Sequence, residues 1–276
     1  MSSPCPERRR AATALLWLLA LAAGHVAADT AAPLRVCADP DNPPYSQRDE
    51  RGFENRIARL LADDLRRPLH YTWLRDRRGF VRKTIGAGLC DLVVGVPAGF
   101  AALQTTAPYY RSAFYFVERT DGPGLSRFTD PRLPLLRIGV QLVGIDPGTS
   151  PVGYALARHG AVERVRGFTL TEAETTPTQR MVDAVAAGRL DTALVWGPQA
   201  GGFVATAPVP LRLLRARVPP DMATLPFEFD IAMGVRRGDD ALQHTLDDFL
   251  RRRRGDIDAL LAAHHVPRTD RPEATP

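Results

Sequence analysis

Few residues in this chain stand at a spacing that could carry a reaction. Asp39-Pro40-Asp41-Asn42 offers oxygens to a hard cation, but the further acids and closing Glu of a calcium loop are missing. A solvated loop is expected there. His264 and His265 are adjacent on a helical segment and so point in different directions, which is poor spacing for a metal. Gly148-Thr149-Ser150-Pro151-Val152-Gly153 lacks the glycine offsets of a nucleophile elbow. Glu54, at a helix start, favours the helix dipole without a catalytic role. No nucleophile, base and oxyanion set emerges, so an enzyme is the least favoured reading. The chemistry on offer is binding, through aromatic rings and arginines.

The elements that would position those groups follow from periodicity. Leu34 to Ala38 reads as a strand, and Phe53, Ile57, Leu60, Leu61 and Leu65 as an amphipathic helix ended by Pro68. Leu69 to Trp73 is a second strand, Gly79 to Gly88 a second helix and Asp91 to Val96 a third strand. This β-α-β-α-β order signals a parallel sheet with helices on its faces. After an extended stretch, Ala113 to Arg119, and the linker-like Thr120-Asp121-Gly122-Pro123-Gly124, the alternation restarts. It runs through Leu136 to Val140, a helix from Tyr154, a helix from Gln179 to Ala187 and the strand Asp191 to Trp196. The last third adds Leu211 to Val218, the strand Phe229 to Val235 and helices at about Asp240 to Arg252 and Asp256 to His264. Two similar α/β lobes are expected.

In doubly wound sheets, ligands bind beyond the carboxyl ends of the strands. Those ends are Asp39 to Tyr45, Pro97 to Phe100, Gln141 to Gly153 and Trp196 to Gly201, and two such edges facing each other make a cleft. The candidate ligand contacts are Asp39, Tyr45, Arg77, Arg78, Phe80, Phe100, Tyr109, Gln141 and Trp196. The rings could stack on a flat ligand. Arg77 and Arg78, near a helix start, could pair with carboxylates. Phe80 equally suits a core, and Trp196 the floor of a cleft.

Of 276 residues, 36 are Lys or Arg and 31 Asp or Glu, a formal net charge of +5. Lys83 is the only lysine, and the arginines are mixed with acids along the chain. That is a solvated surface, with no nucleic-acid partner expected. Glu7-Arg8-Arg9-Arg10, the apolar run Ala11 to Gly24 and the small-residue stretch ending at Ala28 have the layout of a secretory signal. The run is too short for a membrane span, so export to a periplasm without a stable membrane anchor is expected. Export allows Cys37 and Cys90 to pair. If their strands are parallel neighbours with aligned starts, however, the stagger takes the Cα atoms past the roughly 7 Å limit. Buried free thiols are therefore favoured over a bridge.

The order of elements resembles the type II periplasmic solute-binding proteins, which include amino-acid receptors of ABC importers. The resemblance is carried by Leu34 to Tyr45 with Gly52-Phe53-Glu54, by Ala187-Gly188-Arg189-Leu190-Asp191, and by Met233-Gly234-Val235-Arg236-Arg237-Gly238-Asp239. A narrower resemblance is to the MoxJ/XoxJ-type accessory proteins associated with PQQ-dependent methanol and alcohol dehydrogenases. It rests on Gly52 to Ala58, Arg77 to Arg82, Gly88 to Asp91, Gly95 to Phe100, Pro108 to Ser112, Arg137 to Gln141 and Val195 to Pro198. It implies an α/β, two-lobed periplasmic-binding-protein fold, each lobe a mostly parallel sheet flanked by helices, with two hinge crossovers. The expected division is 1–28 signal peptide, 29–117 and 212–267 one lobe, 118–211 the other, and 268–276 a disordered tail. It implies a periplasmic dehydrogenase as partner and no cofactor of its own. PQQ, a planar tricarboxylate, is a candidate ligand for the cleft between the lobes. The amino-acid receptors clamp a carboxylate and an ammonium where this chain has Ala98-Gly99-Phe100 and Trp196-Gly197-Pro198, so free amino acids are not expected ligands. The alternative is an ABC-importer receptor for a small aromatic or carboxylate solute.

Overall fold

The computed structural model describes residues 32–75, 79–142, 150–169 and 175–271. The leader, Arg77, Arg78, most of the Gly144 to Gly153 loop and the last five residues lie outside the described residues. The first lobe is built on β1 (Leu34–Ala38), which pairs in parallel with β4 (Leu69–Trp73) on one side and β5 (Leu92–Pro97) on the other. A hairpin of β2 (Asp41–Asn42) and β3 (Ser46–Gln47) follows β1 and leads into α1 (Phe53–Asp64). Phe53, Ile57 and Leu61, four residues apart, are fully buried on one helix face, as the spacing predicts. Gly52 is required just before α1 because any Cβ there would overlap the Tyr45 carbonyl group. That close approach lets Phe53 and Glu54 donate their N–H groups to the Pro44 and Tyr45 carbonyls, both at 2.9 Å, fixing the loop on the helix start.

The second helix is shorter than its sequence suggests. It splits at Thr84 into α2 (Phe80–Lys83) and a 3-10 turn, Ile85–Ala87, with the Thr84 hydroxyl bonded back to the Phe80 carbonyl at 2.7 Å.

The crossing between lobes is made by one long strand. β6 (Gln104–Thr105) is a short edge piece, and β7 (Tyr110–Arg119) runs ten residues. The start of β7 pairs antiparallel with β12 (Glu228–Val235), from Tyr110 opposite Ile231 to Ala113 opposite Glu228. Its far half pairs with β10 (Thr192–Trp196) on one side and β11 (Leu211–Arg215) on the other. The chain therefore leaves the first lobe along β7 and returns through β11 and β12, which runs antiparallel beside β5. In the second lobe β8 (Ile138–Gln141) lies parallel to β10 and to β9 (Val165–Phe168). Its helices are α3 (Pro151–Arg158), α4 (Pro177–Ala186) and α5 (Gly197–Ala205). Ser150 and Thr176 cap the first two through their hydroxyls, accepting from Gly153 and Gln179. Two helices, α6 (Asp240–Arg252) and α7 (Arg254–Ala263), return to cover the first lobe.

Alternate residues of the strands feed separate cores. Leu34 and Val36 face α1, α6 and α7, while Cys37 faces the other side with Ile85, Cys90 and Val93. In the second lobe Phe116 and Leu194 face α3, whereas Val117, Ala193 and Val195 face α4.

Two expectations need correction. Cys37 and Cys90 form a disulfide, with Cα atoms 5.6 Å apart. β5 begins at Leu92, opposite Val36, so Cys90 belongs to the turn before the strand and is free to fold toward Cys37. The first residues of the supposed tail are also fixed. Arg268 forms ion pairs with Asp258 and Asp270, and Thr269 donates its N–H to the Arg111 carbonyl at 2.9 Å. The polar composition that suggested disorder instead supplies ion-pair partners.

Candidate functional site

A cavity of about 330 Å³ opens at the carboxyl ends of β1, β5 and β10. The first lobe contributes Asp39 from the end of β1, Asn42, Tyr45 and Ser46 from the following loop, and Gly95 to Pro97 from β5. Glu54 enters from the first turn of α1 and Phe80 from α2. The crossover strands add Tyr110, Phe114, Phe229 and Ile231, and the second lobe supplies Trp196 and Gln199.

Trp196 is the central piece. It stands where β10 gives way to α5, with Gly197 and Pro198 starting the helix at once. Its ring meets Phe114 and Phe229 edge to face, with centroids 5.4 and 5.6 Å away. It also packs on the core of the first lobe, beside Tyr45. Tyr45 in turn lies 5.0 Å from Phe53. One side chain of the second lobe is thus seated in the first, in the space between the two strand-end edges.

The polar groups around the rings are acidic or neutral. Asp39 is buried and accepts the Asp41 N–H at 2.8 Å. The Glu54 carboxylate lies over the backbone of β5, so close to Gly95 that a Cβ there would overlap it. Desolvation, together with nearby Glu54 and the neighbouring tyrosines, raises the Tyr45 and Tyr109 hydroxyls well above the ordinary tyrosine value. Burial and then Glu54 do the same for Tyr110. These phenols stay protonated near neutrality and serve as hydrogen-bonding groups. Among the described residues, no Arg or Lys lines the cavity. None of its groups makes a nucleophile–base pair, and no cluster of three metal-ligating side chains occurs among the described residues.

Of the nine residues singled out from the sequence, Asp39, Tyr45, Phe80 and Trp196 come together here. Phe100 does not line the cavity. It follows Gly99, whose φ is +72°, and swings into a separate pocket, 38% exposed. Tyr109 lies in the first-lobe core with its hydroxyl donating to the Val94 carbonyl at 3.1 Å. Gln141 ends β8 opposite Phe168 and does not line the cavity. Arg77 and Arg78 lie outside the described residues. Sequence reasoning passed over Glu54, Phe114, Gln199 and Phe229. Phe114 and Phe229 were discoverable, because strands that cross between lobes must border whatever lies between them. Glu54 was read only for its helix dipole, and its facing Gly95 is a tertiary fact.

Fold and cavity together define a two-lobed periplasmic binding protein. No family model matches the chain. It is 31% identical to Protein MoxJ of Methylorubrum extorquens over 258 residues, covering 89% of this chain and 84% of the relative. It is 31% identical to Protein MoxJ of Paracoccus denitrificans over 269 residues, 90% of this chain and 93% of the relative. Among solved structures it resembles the periplasmic binding protein XoxJ from Methylobacterium extorquens AM1, with 34% identity and a TM-score of 0.70 over 85% of this chain and 98% of that one. MxaJ from Methlophaga aminisulfidivorans MPT is 27% identical with a TM-score of 0.75, over 85% of this chain and 99% of that one. The chain belongs to the MoxJ/XoxJ family.

Proposed function

We propose that this chain is a periplasmic accessory protein of methanol oxidation that docks on a PQQ-dependent alcohol dehydrogenase and helps bring it to its active form. Membership of the MoxJ/XoxJ family supports the setting. The observation that carries the reading is the seat of Trp196. Here an indole from the second lobe, flanked by Phe114 and Phe229, lines the interlobe cavity and packs on the core of the first lobe, an apolar surface suited to a protein contact. Among the described residues, the lining of the cavity offers no guanidinium to the three carboxylates of PQQ.

The test is to mix the purified mature protein with apo- and holo-dehydrogenase and follow complex formation by sedimentation velocity, then recovery of activity when PQQ and metal are added to the apo-enzyme. A defined complex with faster recovery is expected. No complex, together with micromolar binding of a free metabolite, would overturn the reading. That outcome belongs to the second reading, a receptor feeding an ABC importer. It is favoured by one observation: the cavity's volume lies within the range of small-molecule sites.

A further inference from the structure

A second pocket of about 550 Å³ adjoins the interlobe cavity and shares only Phe80 with it. Its apolar surface comes from Phe80, Ile85, Phe100 and Leu103, and three arginines, Arg82, Arg236 and Arg237, stand around it. Among the described residues, none that lines it is acidic. Elsewhere arginines such as Arg35, Arg137, Arg252 and Arg268 each hold a carboxylate. Among the described residues, none of the three pocket arginines makes an ion pair.

Backbone contacts position them instead. Arg237 donates to the Ala101 carbonyl. Arg236 Nη2 lies over the turn at Gly88, 3.8 Å from where a Cβ would stand, and Arg82 Nη2 lies 3.2 Å from the corresponding point at Gly79. The nearest acids on the chain after β12 are engaged elsewhere: Asp239 caps α6 by accepting from Leu242, and Asp240 accepts from the Gln104 amide.

Three guanidiniums lining one pocket with aromatic surface match one ligand chemistry. A flat ring can stack on Phe100 while its carboxylates pair with the guanidiniums of Arg82 and Arg236, for which no acid among the described residues competes. We infer that this second pocket binds a small planar aromatic carboxylate. The inference goes beyond the docking reading and stands or falls without it.

Isothermal calorimetry on the purified protein tests it, with PQQ, benzene-1,3,5-tricarboxylate and citrate as probes at low and high salt. The two aromatic carboxylates should bind one to one, more weakly as salt rises, and citrate at least about tenfold more weakly than either. Arg236→Gln and Arg82→Gln should each weaken aromatic binding about tenfold. Phe100→Ala should erase the preference over citrate. Arg189→Gln, which removes the same charge from an exposed site on the second lobe, should change nothing. The inference fails if no aromatic carboxylate binds, or if citrate binds as tightly as the aromatic acids. It also fails if Trp196→Ala abolishes binding while the pocket-arginine variants keep it, which places the ligand in the cavity. If those variants weaken only association with the dehydrogenase, the pocket is a protein contact and the inference is again wrong.

Discussion

The two lobes begin their central strands in the same way and end them differently. In the first lobe the Arg35 N–H and guanidinium donate to Asp91 at 3.0, 3.1 and 2.6 Å, while the Asp91 N–H returns a 2.8 Å bond to the Arg35 carbonyl. In the second lobe Arg137 makes the same bonds to Asp191 at 2.7, 3.1 and 2.6 Å, with a 2.9 Å return. Each pair staples a strand to the turn that starts its parallel neighbour. At the other ends the symmetry is gone. The first lobe sends out the loop with Asp39 and Tyr45, which meets the start of α1 at Glu54, whereas the second turns straight from Trp196 into a helix. Amino ends of strands here serve folding, and carboxyl ends are where the lobes have diverged toward a task.

The sharpest way to break this comparison is through the disulfide, which the second lobe has no counterpart for among the described residues. Cys37 and Cys90 close a loop with a sequence separation of 53. By chain entropy such a closure contributes about 4 kcal/mol. The Cys37→Ala/Cys90→Ala protein should therefore melt roughly 10 °C lower, read by circular dichroism. A shift below about 2 °C would mean that the first lobe gains no more from its cross-link than the second does without one.

Next in size is Trp196, through which the edge of the second lobe meets the core of the first. Truncation to alanine removes a partly buried indole from Phe114, Phe229 and Tyr45, at a cost of roughly 2–3 kcal/mol. Trp196→Phe should restore most of this, leaving a loss of about 1 kcal/mol for the smaller ring. Urea unfolding of the three proteins checks both steps. Equal stability for all three would show that Trp196 only lies against the first lobe.

The repeating half of this comparison was legible in the sequence, and the divergent half was not. Periodic apolar residues located α1, β4 and α6 closely, because a strand or helix buried on one face must repeat its pattern locally. The short pieces β2, β3, β6 and β9 carry too few residues to show a period. Asp39, Tyr45, Phe80 and Trp196 could be placed at an edge because strand ends are marked by turn composition. Which rings meet was beyond reach. Phe100 and Tyr109 have the same local signature as Tyr45, and only the turn at Gly99 and the packing of β7 send one to another pocket and the other to the core. Cys90 shows the same limit, since the strand starts at Leu92, one residue beyond the expected Asp91, and leaves Cys90 in a turn whose path the sequence does not show.

The staples themselves should be of equal worth. Arg35→Met and Arg137→Met each lose a forked ion pair whose arginine is nearly half exposed, at 42% and 49%. Exposure limits the cost to about 1 kcal/mol apiece. The two variants should therefore melt within a degree or two of each other. A large excess cost at Arg35 would show that the first lobe relies on its staple more heavily, and the parallel between strand starts would fail.

The smallest effect is a pH dependence that isolates the second staple. The hydrogen bond from Arg137 holds Asp191 below the ordinary carboxylate range, with burial opposing and the Arg137 backbone N–H adding to the effect. A carboxyl whose folded pKa is depressed stabilises the fold above its unfolded value of about 3.9 and loses that contribution as pH falls through the folded value. Asp64, held down chiefly by Arg252, and Asp130, pulled to about 2 by Arg132, act in the same direction. Stability should thus be level above about pH 7, ease slightly below it because burial lowers the His264 pKa, and decline steadily between about pH 4 and 2. In Asp191→Asn the plateau should drop by less than about 1 kcal/mol, because the carboxylate is only partly screened from water. The gap to the wild type should then close as the pH falls, since the acid form of Asp191 and the amide are nearly equivalent there. A gap that stays constant down to pH 2 would assign the loss to packing and deny the staple its electrostatic part.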